Sequence, residues 1–276
     1  MNPLPPIEDE YHDVLGKAMR GLDMNTSELA DAAGMTTVEC EALLSGDFSE
    51  EGTRSIAPVL GLNPNCLVNL ARGAAEPETT LPEGVKLHNA PFPVPGYAAM
   101  TVNSYSIHPP GDPASVALID AGSGFESLSN ANHCAASSAW KLFLTHTHPD
   151  HVVHYDQLAQ KTANNYAPAA EPYEAALPVR EGDHFELGSW HLTAIETPGH
   201  SPGGTSYLLE GASQPVVFAG DALFCGSIGK VNSGYKSALD LIREKILGLP
   251  DNTIVCPGHG PPTTVAFEKE RNPFFA

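Results

Sequence analysis

The stretch that decides the fold runs from Lys141 to Tyr155 and reads KLFLTHTHPDHVVHY. A short apolar run, typical of a strand, leads directly into a polar turn. Four side chains that can bind metal ions follow within six residues, namely His146, His148, Asp150 and His151. A packed core does not tolerate that many polar groups without partners, so the stretch indicates either a metal site or an exposed histidine-rich loop.

Three downstream segments favour the metal site. His200 lies in TPGHSPG, Asp221 in FAGD and His259 in CPGHG. Each residue follows an apolar or β-branched run and sits beside a glycine or proline turn, which is typical of the corner where a strand passes into a loop. Separate strands can therefore bring these side chains to one point.

The number of candidate ligands indicates two metal ions. Imidazole nitrogens and carboxylate oxygens suit zinc, iron or manganese, and alternate residues of an extended chain face the same way. Five histidines and two aspartates exceed what one ion with an open position can bind. Two ions that share a carboxylate would accommodate all seven residues.

The order His-x-His-x-Asp-His, followed by His, Asp and His, resembles the metallo-β-lactamase superfamily. The resemblance covers about Val85 to Phe275 and implies a hydrolase that uses a hydroxide held between two divalent ions, zinc first and iron or manganese as alternatives. It also implies that Asp150 and Asp221 orient this hydroxide and receive its proton. The ligands it implies are His146, His148 and His200 for one ion, Asp150, His151 and His259 for the other, and Asp221 between them.

The segment beginning GDALF at Gly220 is similar to the glyoxalase II, or hydroxyacylglutathione hydrolase, branch of that superfamily. In that branch the position of Lys230 supplies a cation to a glutathione carboxylate, so a thioester substrate is expected. Asn232 stands where the branch has tyrosine, and the segment after His259 is too short for the branch's C-terminal helical extension. A solvated loop cation is therefore the alternative for Lys230.

Other functions remain open at this level. The superfamily resemblance also allows a mononuclear iron persulfide dioxygenase, a lactonase or a β-lactamase. A metal-sensing transcriptional regulator is the non-enzymatic alternative. No Gly-x-Ser-x-Gly elbow is present, so a serine hydrolase is disfavoured.

Composition restricts the partners and the compartment. The formal net charge of −19 argues against nucleic acid and anionic membranes, which require clustered cations. No apolar run reaches the length of a membrane span, and the first residues lack the pattern of a secretion signal. The five scattered cysteines indicate reduced thiols. We therefore expect a cytoplasmic protein. That it acts on a small-molecule thioester is what the resemblance to glyoxalase II implies.

Residues 1–75 read as a small helical domain. Asn25 and Thr36 can cap helices, Gly34 and Gly46 can end them, and Asn63-Pro64 can begin another. The spacing resembles the helix-turn-helix of Cro and phage repressors. The would-be recognition helix TVECEALL carries two acids and no base, however, and the block has four cations against twelve acids. A protein-contacting or homo-oligomerising module is therefore favoured over DNA binding.

Residues 76–84 lack an apolar period and are predicted to be a linker, and residues 85–276 are predicted to form the hydrolase domain. Two groups of strands with outer helices predict an α+β fold, a four-layer αββα sandwich. Helices are expected over 125–138, from Pro149 through Leu158, and over 237–249. Asp120, which ends a strand, either supports the metal site, as the resemblance implies, or caps its turn.

Overall fold

The computed structural model describes residues 4–73, 77, 79–92, 100–112, 114–122 and 140–276. A helical block comes first, and two six-stranded sheets with further helices follow it. This arrangement confirms the expected α+β sandwich. The helix expected over 125–138 lies outside the described residues.

The helical block contains five α-helices, and its predicted signals lie where they were expected. Asn25 and Thr36 accept hydrogen bonds from the backbone N–H groups of Glu28 and Glu39, and each forms a reciprocal capping box. Asn63 caps the last helix, with Pro64 in its first position. The helices are α1 (Tyr11–Gly21), α2 (Thr26–Ala33), α3 (Thr37–Leu44), α4 (Glu50–Ile56) and α5 (Pro64–Ala71), with a 3-10 turn at Pro58–Leu60 before α5.

Helix α3, the would-be recognition helix, exposes acids and an apolar side chain. Cys40 and Leu43 are buried, whereas Val38 is 74% exposed. Glu39 binds the hydroxyl and backbone N–H of Thr36, so one of the two acids stabilises the start of the helix. Helix α3 carries no lysine or arginine that could contact a DNA phosphate. The role of the helical block as a docking or homo-oligomerising module stays a prediction.

The first sheet has the strand order β1 to β6. Strands β1, β2 and β3 are antiparallel neighbours, whereas β3 to β6 run parallel to one another. The strands are β1 (Val85–Pro91), β2 (Thr101–Ile107), β3 (Ala117–Ile119), β4 (Lys141–Phe143), β5 (Asn164–Pro168) and β6 (Leu177–Val179), and helices α6 (Pro149–Val152) and α7 (Tyr155–Ala159) lie between β4 and β5.

The second sheet is mostly antiparallel, in the order β12, β11, β10, β9, β8, β7. One pair, β10 with β11, is parallel. The strands are β7 (His184–Leu187), β8 (Trp190–Glu196), β9 (Thr205–Glu210), β10 (Val216–Gly220), β11 (Ile254–Pro257) and β12 (Thr263–Thr264). Helix α8 (Tyr235–Leu241), a π-helical turn (Ile242–Ile246) and helix α9 (Val265–Arg271) complete the chain.

Alternate side chains along a strand pack into different hydrophobic clusters, one on each face of the sheet. Val216 and Phe218 point into the core between the sheets, whereas Val217 and Ala219 point to the outer face of the second sheet. On the first sheet, Leu118 and other outward residues pack against α7. The order of layers is therefore helix, sheet, sheet, helix.

The helical block belongs to one of these outer layers. Leu15, Leu29 and Leu67 of the block share a single hydrophobic cluster with Val217 and Ile242 of the hydrolase part. The backbone N–H of Asn63 also donates to the carbonyl of Pro273 at 2.8 Å. The helical block therefore packs against the second sheet. The domain boundary at residue 75 stays a prediction.

The local structure differs from the expectations at several elements, among them strand β12, which follows the strand that was expected to be the last one. Strands β5 and β6 escaped prediction because NNYAP and LPV are neither apolar runs nor alternating patterns. Helix α9 was also missed, although Thr264 caps it. The helix expected from Pro149 through Leu158 is two short helices, because the His154 N–H donates to the Ala121 carbonyl at 2.9 Å and breaks the helical ladder.

No helix in the described ranges is long and apolar enough to cross a membrane. The four cysteines in those ranges, Cys40, Cys66, Cys225 and Cys256, are buried and free.

A buried carboxyl group joins α9 to the loop that follows Asp221. Glu268 accepts hydrogen bonds from the Thr263 hydroxyl at 2.8 Å, from the Asn272 amide at 2.8 Å and from the Gly226 N–H at 3.1 Å. Burial raises the pKa of Glu268 to about 7 from its ordinary 4.5, and the Asn272, Thr263 and Gly226 donors only partly oppose this shift. Between these values the folded state keeps a proton that the unfolded state has lost.

We expect this proton to make stability fall as pH rises. The contribution of Glu268 is fully present below about pH 4.5 and is lost as pH rises through 7, by on the order of 3 kcal/mol. Denaturant unfolding of the wild type between about pH 5 and pH 8 should show this fall, and Glu268→Gln should flatten it. Glu270→Gln, on an exposed position of the same helix, is the matched control and should leave the slope intact. Equal slopes for all three proteins would contradict the assignment.

Candidate metal centre

The candidate ligands lie at one edge of the sandwich because four strands end there. His146 follows β4, His200 follows β8, Asp221 follows β10 and His259 follows β11. Strand β10 runs parallel to β11, and both β8 and β10 are antiparallel to β9, so β8, β10 and β11 point the same way. Their carboxyl ends therefore deliver three of these side chains to the same place.

Helix α6 supplies the remaining candidates. His148 precedes it, Pro149 is its first residue, and Asp150 and His151 lie in its single turn. Hydrogen bonds between the backbones of His151 and Ala121, and between His151 and His148, fix this turn against β3. His148 groups with His146 and His200, whereas Asp150 and His151 group with His259.

All seven residues predicted from the sequence come together, in three overlapping groups whose ligand atoms lie within 4.8 Å of one another. The groups are His146, His148 and His200; His146, His151 and Asp221; and Asp150, His151 and His259. His154, which belongs to none of them, lies on the adjoining turn.

The carboxylate of Asp221 lies between the outer two groups. Its Oδ2 is 3.3 Å from Nε2 of His200 and 3.5 Å from Nε2 of His259, and its Oδ1 is 3.3 Å from Nε2 of His151. The second carboxylate, Asp150, has Oδ2 3.3 Å from Nε2 of both His151 and His259. Asp221 thus contacts histidines of both outer groups, whereas Asp150 contacts only histidines of its own group.

Burial and charge act in opposite directions on these residues. Burial raises the pKa of Asp221, but the histidines His259, His200 and His151 outweigh it and hold the pKa well below its usual range. Burial lowers the pKa of His146 well below its ordinary value, an effect that the neighbouring His151 reinforces. An ionised aspartate and a neutral imidazole are the states that bind metal ions.

Unsatisfied polar atoms test whether this site fits a metal ion. Nε2 of His146, Nε2 of His151 and Oδ1 of Asp221 are buried, and none of them makes a hydrogen bond of acceptable geometry with the described residues, although the last two atoms lie 3.3 Å apart. Such orphaned atoms are costly unless another group satisfies them. Nε2 of His200 and Nδ1 of His148 lie 2.8 Å apart, which brings two further ring nitrogens to the same region. The residues fit a divalent metal ion.

The other ring nitrogen of several histidines is held by the protein, as in many metal sites. Nδ1 of His259 is 2.7 Å from the Thr101 carbonyl, and Nδ1 of His200 is 2.9 Å from the Lys230 carbonyl. These hydrogen bonds fix the orientation of both rings. Backbone carbonyls can accept only from a protonated nitrogen, so they leave Nε2 of each ring as the free ligand atom.

Asp120 combines the two roles that the sequence left open. Its backbone has φ of 61°, a left-handed conformation that aspartate tolerates, and its carboxylate accepts from the N–H and hydroxyl of Thr145 at 2.7 and 2.9 Å. The same carboxylate lies 2.9 Å from Nδ1 of His151. Asp120 therefore both holds the turn and orients a candidate ligand.

Sequence reasoning missed Glu171, which ties two ligand loops together. Its carboxylate accepts from the N–H and hydroxyl of Thr147, at 2.8 and 2.6 Å, and from the N–H of Gly203 at 3.0 Å. Thr147 lies between two candidate ligands and Gly203 follows a third. Because Glu171 lies in a loop with no periodic pattern, nothing in the sequence marks it.

A pocket opens over the candidate ligands. Lys230, whose role in substrate binding stays a prediction, lines it together with apolar side chains from Phe92, Met100 and Phe224. Gly258 makes the close packing beneath the pocket possible, because a Cβ there would lie 2.2 Å from Oδ1 of Asp221. The N-terminal residues Glu8 and Lys17 also reach this pocket, which no motif indicated.

The fold and the site together define a metallo-hydrolase-type centre at the edge of an αββα sandwich. The sequence profile of the metallo-β-lactamase superfamily matches residues 98–259, more than half of the chain. The chain therefore belongs to the metallo-β-lactamase superfamily.

Three similar proteins stand out. The probable metallo-hydrolase YqgX of Bacillus subtilis is 33% identical over 158 residues, which cover 48% of this chain and 74% of that one. The hydroxyacylglutathione hydrolase GloC of Haemophilus influenzae is 31% identical over 189 residues, 59% and 88% of the two chains. The solved structure of TTHA1623 in a di-iron-bound form is 28% identical, with a TM-score of 0.52 and coverage of 63% and 95%.

Replacing Asp120 should weaken metal binding without removing a candidate ligand. We expect Asp120→Asn to lower the affinity for divalent zinc about 10- to 100-fold, because His151 loses a charged acceptor that orients it. Competition with a chromophoric chelator measures this affinity.

His154→Ala serves as the control, since it removes a nearby histidine that belongs to none of the three groups. Its zinc affinity should equal that of the wild type. An unchanged affinity in Asp120→Asn, or an equal loss in the control, would contradict the role of Asp120.

Proposed function

We propose that this protein is a dinuclear metallohydrolase that cleaves thioesters of the hydroxyacylglutathione type. One observation carries the dinuclear part of the proposal: the carboxylate of Asp221 lies within 3.5 Å of His200 from one ligand group and of His259 from the other. A single ion would leave one of these groups without a function. The di-iron form of TTHA1623 shows that a similar chain holds two ions.

Each group would hold one ion. His146, His148 and His200 would bind the first, Asp150, His151 and His259 would bind the second, and Asp221 would bind both. Zinc suits this set of nitrogen and oxygen ligands, and iron and manganese suit it as well. Bound at these positions, the ions would acidify a water molecule and polarise the carbonyl under attack.

The two aspartates have separate tasks in this proposal. Asp221 lines the pocket and contacts histidines of both groups, so it holds the two groups together. Asp150 lines the pocket and has one oxygen near His151 and His259, so its carboxylate can orient the attacking water and receive its proton. The chain thus contributes a proton acceptor, and no serine or cysteine nucleophile is required.

Two features support a glutathione thioester as the substrate. The similarity to the hydroxyacylglutathione hydrolase GloC extends over 88% of that protein. Lys230 offers a cation at the pocket, which a substrate carboxylate can bind. The apolar side chains of Phe92 and Phe224 would cover the acyl part and exclude water around it.

Metal content tests the dinuclear proposal. Protein saturated with zinc and then desalted should carry about two ions per chain by elemental analysis, because two groups of ligands share one carboxylate. His146→Ala should retain fewer ions and lose activity while keeping the wild-type circular dichroism spectrum. One ion per chain in the wild type would instead favour a mononuclear enzyme such as an iron persulfide dioxygenase.

Lys230 tests the substrate assignment. We expect Lys230→Ala to raise the Michaelis constant for S-D-lactoylglutathione several-fold, as for an exposed ion pair, and to leave the turnover number nearly unchanged. Cleavage of a thioester without carboxylates should not respond.

Lys236→Ala is the matched control, because it removes an exposed cation six residues further on that does not line the pocket. An equal effect of Lys230→Ala on charged and uncharged thioesters would show that Lys230 does not bind the substrate carboxylate.

A further inference from the structure

The N-terminal block forms one side of the pocket above the candidate metal centre. Glu8, Asp9 and Lys17, here called the N-terminal wall, line the pocket together with His148, Asp150 and His259. Glu8 and Asp9 precede α1, and Lys17 lies within it. The block is thus part of the site and not only part of the outer layer.

A buried ion pair attaches the N-terminal wall to the loop after Asp221. The Lys17 ammonium binds the Asp9 carboxylate, and their side chains are only 13% and 9% exposed. The same ammonium donates to the Ile228 carbonyl at 2.8 Å and lies 4.9 Å from the centre of the Phe224 ring. Asp9 and Lys17 therefore satisfy each other, and neither is left to bind a charged substrate.

The other end of the N-terminal wall packs on the loop that carries His259. A Cβ at Gly260 would lie 3.2 Å from the Glu8 nitrogen, 3.4 Å from the Glu8 Cβ and 3.6 Å from the Pro6 carbonyl. Gly260 also has φ of 76°, which favours glycine. This close approach places Glu8 beside the candidate ligand without requiring it to be one.

Glu8 presents a half-buried carboxyl group to the pocket. Its carboxylate has no hydrogen bond or ion pair with the part of the chain that is described. Lys230, on the loop after Asp221, is likewise unpaired within those ranges. Lys17 and His259 lie near enough to attract the Glu8 carboxylate electrostatically, but neither forms an ion pair with it. A carboxylate partly removed from water favours a directly bound cationic partner. Outside the metal centre, two charged groups of the pocket are therefore not held by a hydrogen bond or ion pair with the described residues. They are the Glu8 carboxylate and the Lys230 ammonium.

We infer that Glu8 binds an ammonium group of the substrate, so that the pocket selects a zwitterionic thiol carrier. This inference rests on the proposed thioesterase function, because it assigns the carboxylate of the carrier to Lys230 and its amine to Glu8. The N-terminal block thereby determines specificity, although no candidate metal ligand belongs to it. A carrier with only carboxylates would be disfavoured by Glu8.

Binding of a non-hydrolysable ligand pair tests this inference separately from catalysis. S-methylglutathione has a free ammonium group, and its N-acetyl derivative does not. By calorimetry on the zinc-loaded protein, the free amine should bind about threefold to tenfold more tightly than the acetylated form. Glu8→Gln should reduce this ratio to about one.

Glu41→Gln is the matched control, since it removes the same charge from an exposed position on α3 away from the pocket. It should keep the wild-type ratio. A wild-type ratio of one, or a ratio that persists in Glu8→Gln, would overturn the inference. Loss of zinc from Glu8→Gln would also overturn it, because Glu8 would then belong to the metal centre.

Failure of the ammonium site and failure of the proposed thioesterase function give different experimental results. If the preference for the free amine depends on Glu8 but S-D-lactoylglutathione is not hydrolysed, the ammonium site stands and the thioesterase assignment fails. If neither ligand binds while the thioester is cleaved, the ammonium site fails and the thioesterase assignment stands.

Discussion

The buried negative charge of Asp221 is the constraint on which the site depends. A carboxylate in this position is costly unless hydrogen-bond donors or metal ions surround it, and three histidines approach it within 3.5 Å. Those histidines come from α6 and from the ends of β8 and β11, so the sandwich must bring separate strands to one edge. The close packing at Gly258, which leaves no room for a side chain, follows from the same requirement.

Much of the site could be predicted from the sequence because its ligands lie in short, distinctive motifs. The seven residues predicted to be ligands are spread over more than a hundred positions, yet each lies in a short motif that follows a strand. The αββα sandwich was predictable for the same reason, since strands and turns carried the signal. Strands β5 and β6 were not, because pairing with parallel neighbours stabilises NNYAP and LPV more than their own composition does.

What the sequence did not reveal depends on contacts between distant segments. Glu171 and Lys17 carry no motif, and their roles arise only when separate loops meet. The helical block illustrates the same limit. Its caps at Asn25 and Thr36 were local and predictable, whereas its packing on the second sheet and the approach of Glu8 to the pocket are tertiary.

The central claim is that two metal ions lie on either side of Asp221, and anomalous X-ray diffraction tests it most directly. Crystals of the zinc-loaded protein, measured on both sides of the zinc absorption edge, should show two anomalous peaks about 3.5 to 4 Å apart, as in other two-metal hydrolase sites. One peak should lie among His146, His148 and His200, and the other among Asp150, His151 and His259. A single peak at full zinc saturation, or a second peak away from Asp221, would contradict the account.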